Sequence, residues 1–239
     1  MTAPYTVPPP MMPPPRARRT GRRIMILVIV LLAILGLLFG LDRAAAAITA
    51  DRIAAKLQTA GFPVEPTVTV KGFPFLTQLI SRHLDGIEVI APEFPVGSVT
   101  ASIDVHATYI TLDSGYQSGT IGHINGTSLI TFASLAKLPG LANVPGLKIS
   151  GAGPHMVKLS ASLAILAASA IARVKLASPH AIALSLVSAS GVPAALLDPI
   201  RHLIVQIPAL PLGLTVQSVT VSPQGVVIRV SGSNASFGP

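Results

Sequence analysis

Three acid-base pairs stand at short range in this sequence: His83 with Asp85, Asp104 with His106, and Asp198 with His202. A carboxylate that orients an imidazole is the least equipment general acid-base catalysis needs. On a strand, side chains two residues apart leave the same face, and on a helix those four apart lie one turn above each other. Asp104 with His106 meets the first condition and Asp198 with His202 the second. No nucleophile elbow, phosphate loop, dinucleotide fingerprint or zincin helix accompanies them. Gly151 and Gly153 supply part of a glycine motif that no third glycine completes. The nine acidic residues are scattered and cysteine is absent, so thiolate chemistry is excluded and metal catalysis has no cluster to rest on. The pairs read as solvated surface pairs; no catalytic residue, metal or cofactor is expected.

What must position any site is an unusually apolar chain. Half of its 239 residues are hydrophobic and only 11% are charged. Such a composition either packs one very efficient core or keeps apolar surface for a ligand or a bilayer. The net charge of +8 suggests nucleic acid until it is located: five of the seventeen basic residues are Arg16, Arg18, Arg19, Arg22 and Arg23. From Ala44 onward the balance falls to about +3, and with no tryptophan to stack on bases, nucleic acid is not an expected partner.

Behind that arginine cluster, Ile24 to Leu41 is an eighteen-residue run without a charge or a proline. At the helical rise it spans most of a ~30 Å hydrocarbon core. The arginines before it, against a cancelling Asp42 and Arg43 after it, place the N-terminus in the cytoplasm and the rest of the chain outside. The run is longer than the apolar region of a cleaved signal, although Ala44 to Ala47 would supply a small-residue cleavage site. An uncleaved signal anchor is expected.

Three segments follow: residues 1-23, a Pro- and Arg-rich cytoplasmic tail with seven prolines; residues 24-41, the transmembrane anchor; and residues 42-239, an exported domain. The domain opens with an alanine-rich helix from Asp42 to about Ala60, apolar at Ala50, Ile53, Ala54 and Leu57 and stopped by Gly61 and Pro63. Its pattern leaves open whether it is a stalk or packs onto the domain. After Pro66 the texture turns to strands. Val99 to Leu112 alternates strictly, with Val99, Ala101, Ile103, Val105, Ala107 and Tyr109 on one face. Further strands are expected over Val157 to Ile165, over Ile171 to Leu176 continuing past Pro179 as Ile182 to Leu186, and over Leu212 to Val221 with Val226 to Val230. The last two make a hairpin about Ser222, Pro223, Gln224 and Gly225. Asn125 and Gly126 signal a second tight turn. Short helices are expected at Phe132 to Leu138 and from Asp198, with Pro199 at its first position and Ile200, Leu203 and Ile204 as its apolar face. Long, weakly polar strands with few helices indicate an α+β fold: a long curled antiparallel β-sheet with the N-terminal amphipathic helix packed on its concave side and an apolar groove between them.

The densest local feature is GFPFLTQLI, Gly72 to Ile80, where Phe73, Phe75, Leu76, Leu79 and Ile80 crowd beside a proline. It reads either as a core-closing turn with one helical turn or as a lipid-contacting, membrane-dipping element. GFPFLTQ, the strand GIEVIAPEF from Gly86, LITFASLA from Leu129 and LPLGLTVQSVTVSPQGVVIRVSG from Leu210 together resemble the LmeA-type phospholipid-binding proteins of actinobacteria. The resemblance runs from about Asp42 to the C-terminus and implies a tubular lipid-binding-like fold. It also implies a cell-envelope protein connected with elongating the mannan of lipoglycans, with phospholipid and the cytoplasmic membrane as partners. The family carries no catalytic residues to transfer, so the residues of GFPFLTQLI stand as a guess at lipid contact. A non-catalytic scaffold for an envelope glycosyltransferase and, with less support, an envelope hydrolase are the competing readings.

Overall fold

The computed structural model describes residues 19-59, 62-96, 98-138, 141-163, 166-192, 202-207 and 210-238. The chain divides into two compact units, Met1-Leu41 and Asp42-Pro239. No proline interrupts the sequence between Arg16 and Phe62, and a single helix, α1 (Arg19-Thr59), runs across that boundary. Among the described residues it is one helix long and apolar enough to cross a membrane. In the first unit the large apolar side chains from Met25 to Leu41 are exposed.

The second unit is built from strands β1 (Thr67-Lys71), β2 (His83-Val96), β3 (Val99-Leu112), β4 (Gly119-Thr131), β5 (Lys148-Gly153), β6 (Met156-Leu163), β7 (Leu166-Ser178), β8 (Ala181-Ser190), β9 (His202-Gln206), β10 (Thr215-Val221) and β11 (Gly225-Phe237), with short helices α2 (Phe75-Ser81) and α3 (Phe132-Leu135). The α+β class holds, and one expectation within it changes. The strands form two antiparallel sheets in place of one, in the orders β1-β2-β3-β4-β11-β10 and β5-β6-β7-β8-β9. The second sheet is inserted between β4 and β10, so strands distant in sequence close the first.

α1 resolves the question its pattern left open. It continues unbroken from the apolar run, and Ala46, Ala50 and Ala54, spaced one turn apart, are buried. Ala46 and Ala50 pack with Val70, Phe75, Leu84, Ile110, Ile121 and Ile124 of the first sheet and α2. Ala45, Ile53, Leu79 and Phe237 pack around that cluster with part of their surface uncovered.

β3 covers the residues its alternation indicated, but the phase slips near its end. Tyr109 has φ 56° and pairs with no residue of β4, so Ile110 takes the buried position opposite Ile121 while Tyr109 is 73% exposed. The left-handed backbone at Tyr109 breaks the alternation without shifting the register against β2 or β4. Asn125 and Gly126 lie in the middle of β4 instead of in a turn. A Cβ at Gly126 would stand 2.7 Å from Val230 Cγ2, so this glycine serves close strand packing. The reversal between β3 and β4 is made instead by Asp113 to Ser118, where the Asp113 carboxylate accepts the Gly115 and Gln117 amides at 3.1 and 3.2 Å and the Ser118 hydroxyl. Pro179 and His180 reverse the chain, so the segments on either side of them form a hairpin where a continuation was expected. Residues 202-206 are strand where a helix was expected to continue; the start of that helix, from Asp198, lies outside the described residues. The Ser222-Gly225 turn is found, with the Ser222 amide donating to the Gly225 carbonyl at 2.8 Å. α3 is found too, shorter than expected, capped by Thr131 Oγ1 accepting the Ser134 amide at 3.1 Å.

Candidate functional site

α2 gives GFPFLTQLI two faces. Phe75 is 1% exposed at the centre of the first core, and Leu79, four residues on, packs against the same cluster. Gln78 is buried beside them, its Oε1 accepting the Asp85 amide at 2.8 Å. Leu76 and Ile80 share the opposite face and are 40% and 79% exposed; Phe73, before the helix, is 59% exposed. The five residues singled out in the sequence therefore separate into a core pair and an outward trio.

Two residues at the head of the second unit hold this element. The buried Asp42 carboxylate accepts the Leu76 amide at 2.8 Å and the Arg43 guanidinium at 2.7 Å. Arg43 also donates to the Gly72 carbonyl at 3.0 Å and lies 5.3 Å above the Phe73 ring. The first turn of α2 has no side-chain cap of its own, and Asp42 supplies one from 34 residues away.

Strand register places α2 at a definite end of the first sheet. Lys71 ends β1, His83 begins β2 opposite Thr111, Leu112 ends β3 opposite Gly119, and Phe237 ends β11 opposite the same glycine. The Leu112 amide donates to the Arg82 carbonyl at 2.8 Å, joining the α2 exit to the β3-β4 turn. Tyr116 in that turn is exposed, and Tyr109 packs edge-on to His123 at 5.9 Å.

The two sheets share a second apolar cluster of different character. Its buried members are Val157, Val174, Ile182, Val216, Val219 and Val226, all β-branched and of modest size. The bulkier side chains around them, among them Phe132, Leu135, Leu159, Leu176 and Leu184, are only half buried. This cluster joins the two sheets as an apolar seam, whose larger side chains keep part of their surface uncovered. Next to Leu159, which pairs with Ala170, β7 carries Ala168, Ala170 and Ala172 on one buried face. A shallow hollow of about 510 Å³ elsewhere is lined by His123, Asn125, Thr215, Gln217, Ser231 and Ser233, whose polar groups do not suit an acyl chain.

Of the three acid-base pairs, Asp104 and His106 do meet, with Nε2 3.1 Å from Oδ1. His83 instead directs Nδ1 to the Ser81 carbonyl at 2.7 Å, and Asp198 lies outside the described residues. The scattered carboxylates gather more than the sequence indicated: Glu88 faces His106 across β2 and β3, so that Glu88, Asp104 and His106 bring ligand atoms within 4.8 Å of one another. Glu88 was invisible as a member because it comes from the neighbouring strand. Lys71 Nζ stands 2.5 Å from Glu88 Oε2 and holds its carboxyl below the ordinary value despite partial burial, with lesser help from His106. The group is a charge-compensated surface network of two cations and two carboxylates when His106 is protonated.

No curated protein and no solved structure matches the chain. A family model described as LmeA-like phospholipid-binding matches residues 40-231, most of the chain and nearly all of the second unit. On that match the chain belongs to the LmeA-like phospholipid-binding family.

Proposed function

We propose that the domain from Asp42 onward shelters phospholipid acyl chains in the seam between its two sheets, while the run Ile24 to Leu41 tethers it to the outer face of the cytoplasmic membrane. The observation that carries this reading is the apolar seam that joins the two sheets, where Leu159, Leu176 and Leu184 keep part of their apolar surface uncovered beside buried valines. Covering such side chains is worth about 25 cal/mol per Å² of apolar surface, so an acyl chain lying along several leucines gains a useful affinity without any polar anchor. The role is binding and handling of lipid, without catalysis; support for lipoglycan mannan elongation, in concert with envelope glycosyltransferases, follows from the family resemblance.

Retention of the anchor is supported by Asp42 and Arg43. A cut among Ala44 to Ala47 would remove the carboxylate that holds the Leu76 amide and the guanidinium that binds Gly72. The orientation, with the N-terminus cytoplasmic, rests on the arginines before the run.

The full chain in vesicles containing a phospholipid with a photoactivatable acyl chain tests the reading. Irradiation should yield adducts on peptides from β6, β7 and β8 as well as on the anchor. Adducts confined to residues 24-41 would show an anchor without a lipid site and would sink the proposal.

A further inference from the structure

We infer that the end of the first sheet carrying α2 is an interfacial foot, which rests in the headgroup layer of the same bilayer that receives the anchor. This rests on the tether reading and adds to it a second, independent membrane contact. Three observations converge. Asp42 is the residue next after the apolar run, and its carboxylate is bonded to the Leu76 amide, so α2 is held close to the point where the chain leaves that run. On α2 the outward face carries Leu76 and Ile80 flanked by the small polar Thr77 and Ser81, on an element whose other face is already committed to the core. Around it the same sheet end gathers Phe73, Tyr109, Tyr116, Arg43 and Arg82, all except Arg43 exposed by more than a third of their surface.

That mixture is what an interface selects. Tyrosine rings sit with their apolar body toward the acyl chains and the hydroxyl toward water, and arginine stems cover apolar surface while the guanidinium reaches phosphate. Both tyrosines of the domain stand at this end, although the polar outer face of the sheet offers many other strand positions. The left-handed backbone at Tyr109 leaves its side chain exposed, whereas Ala107 and Ile110 pack on the first core. Ile80 is 79% exposed, more than any other large hydrophobic side chain among the described residues of the domain, and it stands one turn from an exposed leucine. The seam lies in the same unit, so a foot on the bilayer keeps the lipid site at a fixed reach from the leaflet that supplies its ligand.

The absence of cysteine allows single labels. Full-length Ile34→Cys, Ile80→Cys, Tyr116→Cys and Gln224→Cys, each carrying an environment-sensitive fluorophore, are reconstituted into vesicles of phosphatidylcholine and phosphatidylglycerol with bromine on the acyl chains. Gln224 is exposed in the turn at the opposite end of the sheet. Labels at 34, 80 and 116 should lose fluorescence and the label at 224 should not. In a second arm, Leu76→Asp with Ile80→Asp should abolish quenching at 116 and leave it intact at 34. Quenching at 34 without quenching at 80 overturns the foot and spares the tether, whereas a label at 34 that is not quenched removes both. Equal quenching at 80 and 224 also overturns the foot, since the domain would then lie along its length on the bilayer.

Discussion

Asp42 and Leu76 are joined by a 2.8 Å hydrogen bond from amide to carboxylate that spans 34 residues and ties the head of the domain to its most apolar motif. The first-turn amides of α2 have no other side-chain acceptor. Asp42→Asn keeps the shape of the side chain but weakens both the Leu76 bond and the Arg43 pair. Amide exchange at Leu76 in the full chain should quicken by about tenfold or more, with strands β3 and β4 unaffected. Unchanged exchange at Leu76 would mean that α2 is held by packing alone.

Phe75 and Ile80 lie in one seven-residue helix with opposite fates. Phe75→Ala empties a site in the centre of the core and should cost about 3-5 kcal/mol of stability. Ile80→Ala removes an exposed side chain and should change stability by no more than about 0.5 kcal/mol. Denaturant unfolding of the detergent-solubilised chain, followed by far-UV circular dichroism, separates the two. Equal effects would contradict the two-faced reading of the motif.

Glu88 gives the acid limb a sign. Its folded-state carboxyl titrates lower than the ordinary 4.5, first through Lys71, so it stabilises the fold fully above that ordinary value. The contribution is lost as pH falls below about 4.5 toward the depressed folded value. Between roughly pH 5 and 3 the thermal midpoint of the wild type should fall more steeply than that of Glu88→Gln, which carries no such proton. Parallel curves would place the acid sensitivity elsewhere.

The seam makes a prediction about ligand that leaves the fold standing. Leu159→Gln and Leu184→Gln put amides where half-covered leucines now lie, and each should lower photo-crosslinking of acyl chains to the domain by about tenfold. Near-wild-type unfolding midpoints check that the sheets persist. Crosslinking that survives both substitutions would move the lipid site off the seam.

Much of this molecule is local. The β3 alternation, the Ser222-Gly225 turn, the Thr131 cap and the helical pattern of Ala50, Ile53 and Ala54 are each written within a few neighbouring residues, where backbone preference and side-chain period act directly. The misreadings share a cause. Asn125 and Gly126 have the chemistry of a turn, yet the need of Val230 for space across the sheet outweighs that local preference. Pro179 looked like a pause within one strand because period-two patterns run alike through a hairpin and a straight segment.

The sequence by itself determined that the chain carries an apolar span behind arginines, a strand-rich domain with few charges, and no cysteine thiolate, since composition and period are properties of neighbouring residues. Only the tertiary structure decided that Phe75 and Ile80 part company, that Glu88 joins Asp104 and His106, that Asp42 caps a helix far along the chain, and that a second apolar cluster joins the two sheets. Each of these is a meeting of residues distant in sequence, set by strand register and by the insertion of the second sheet, and no local pattern specifies either.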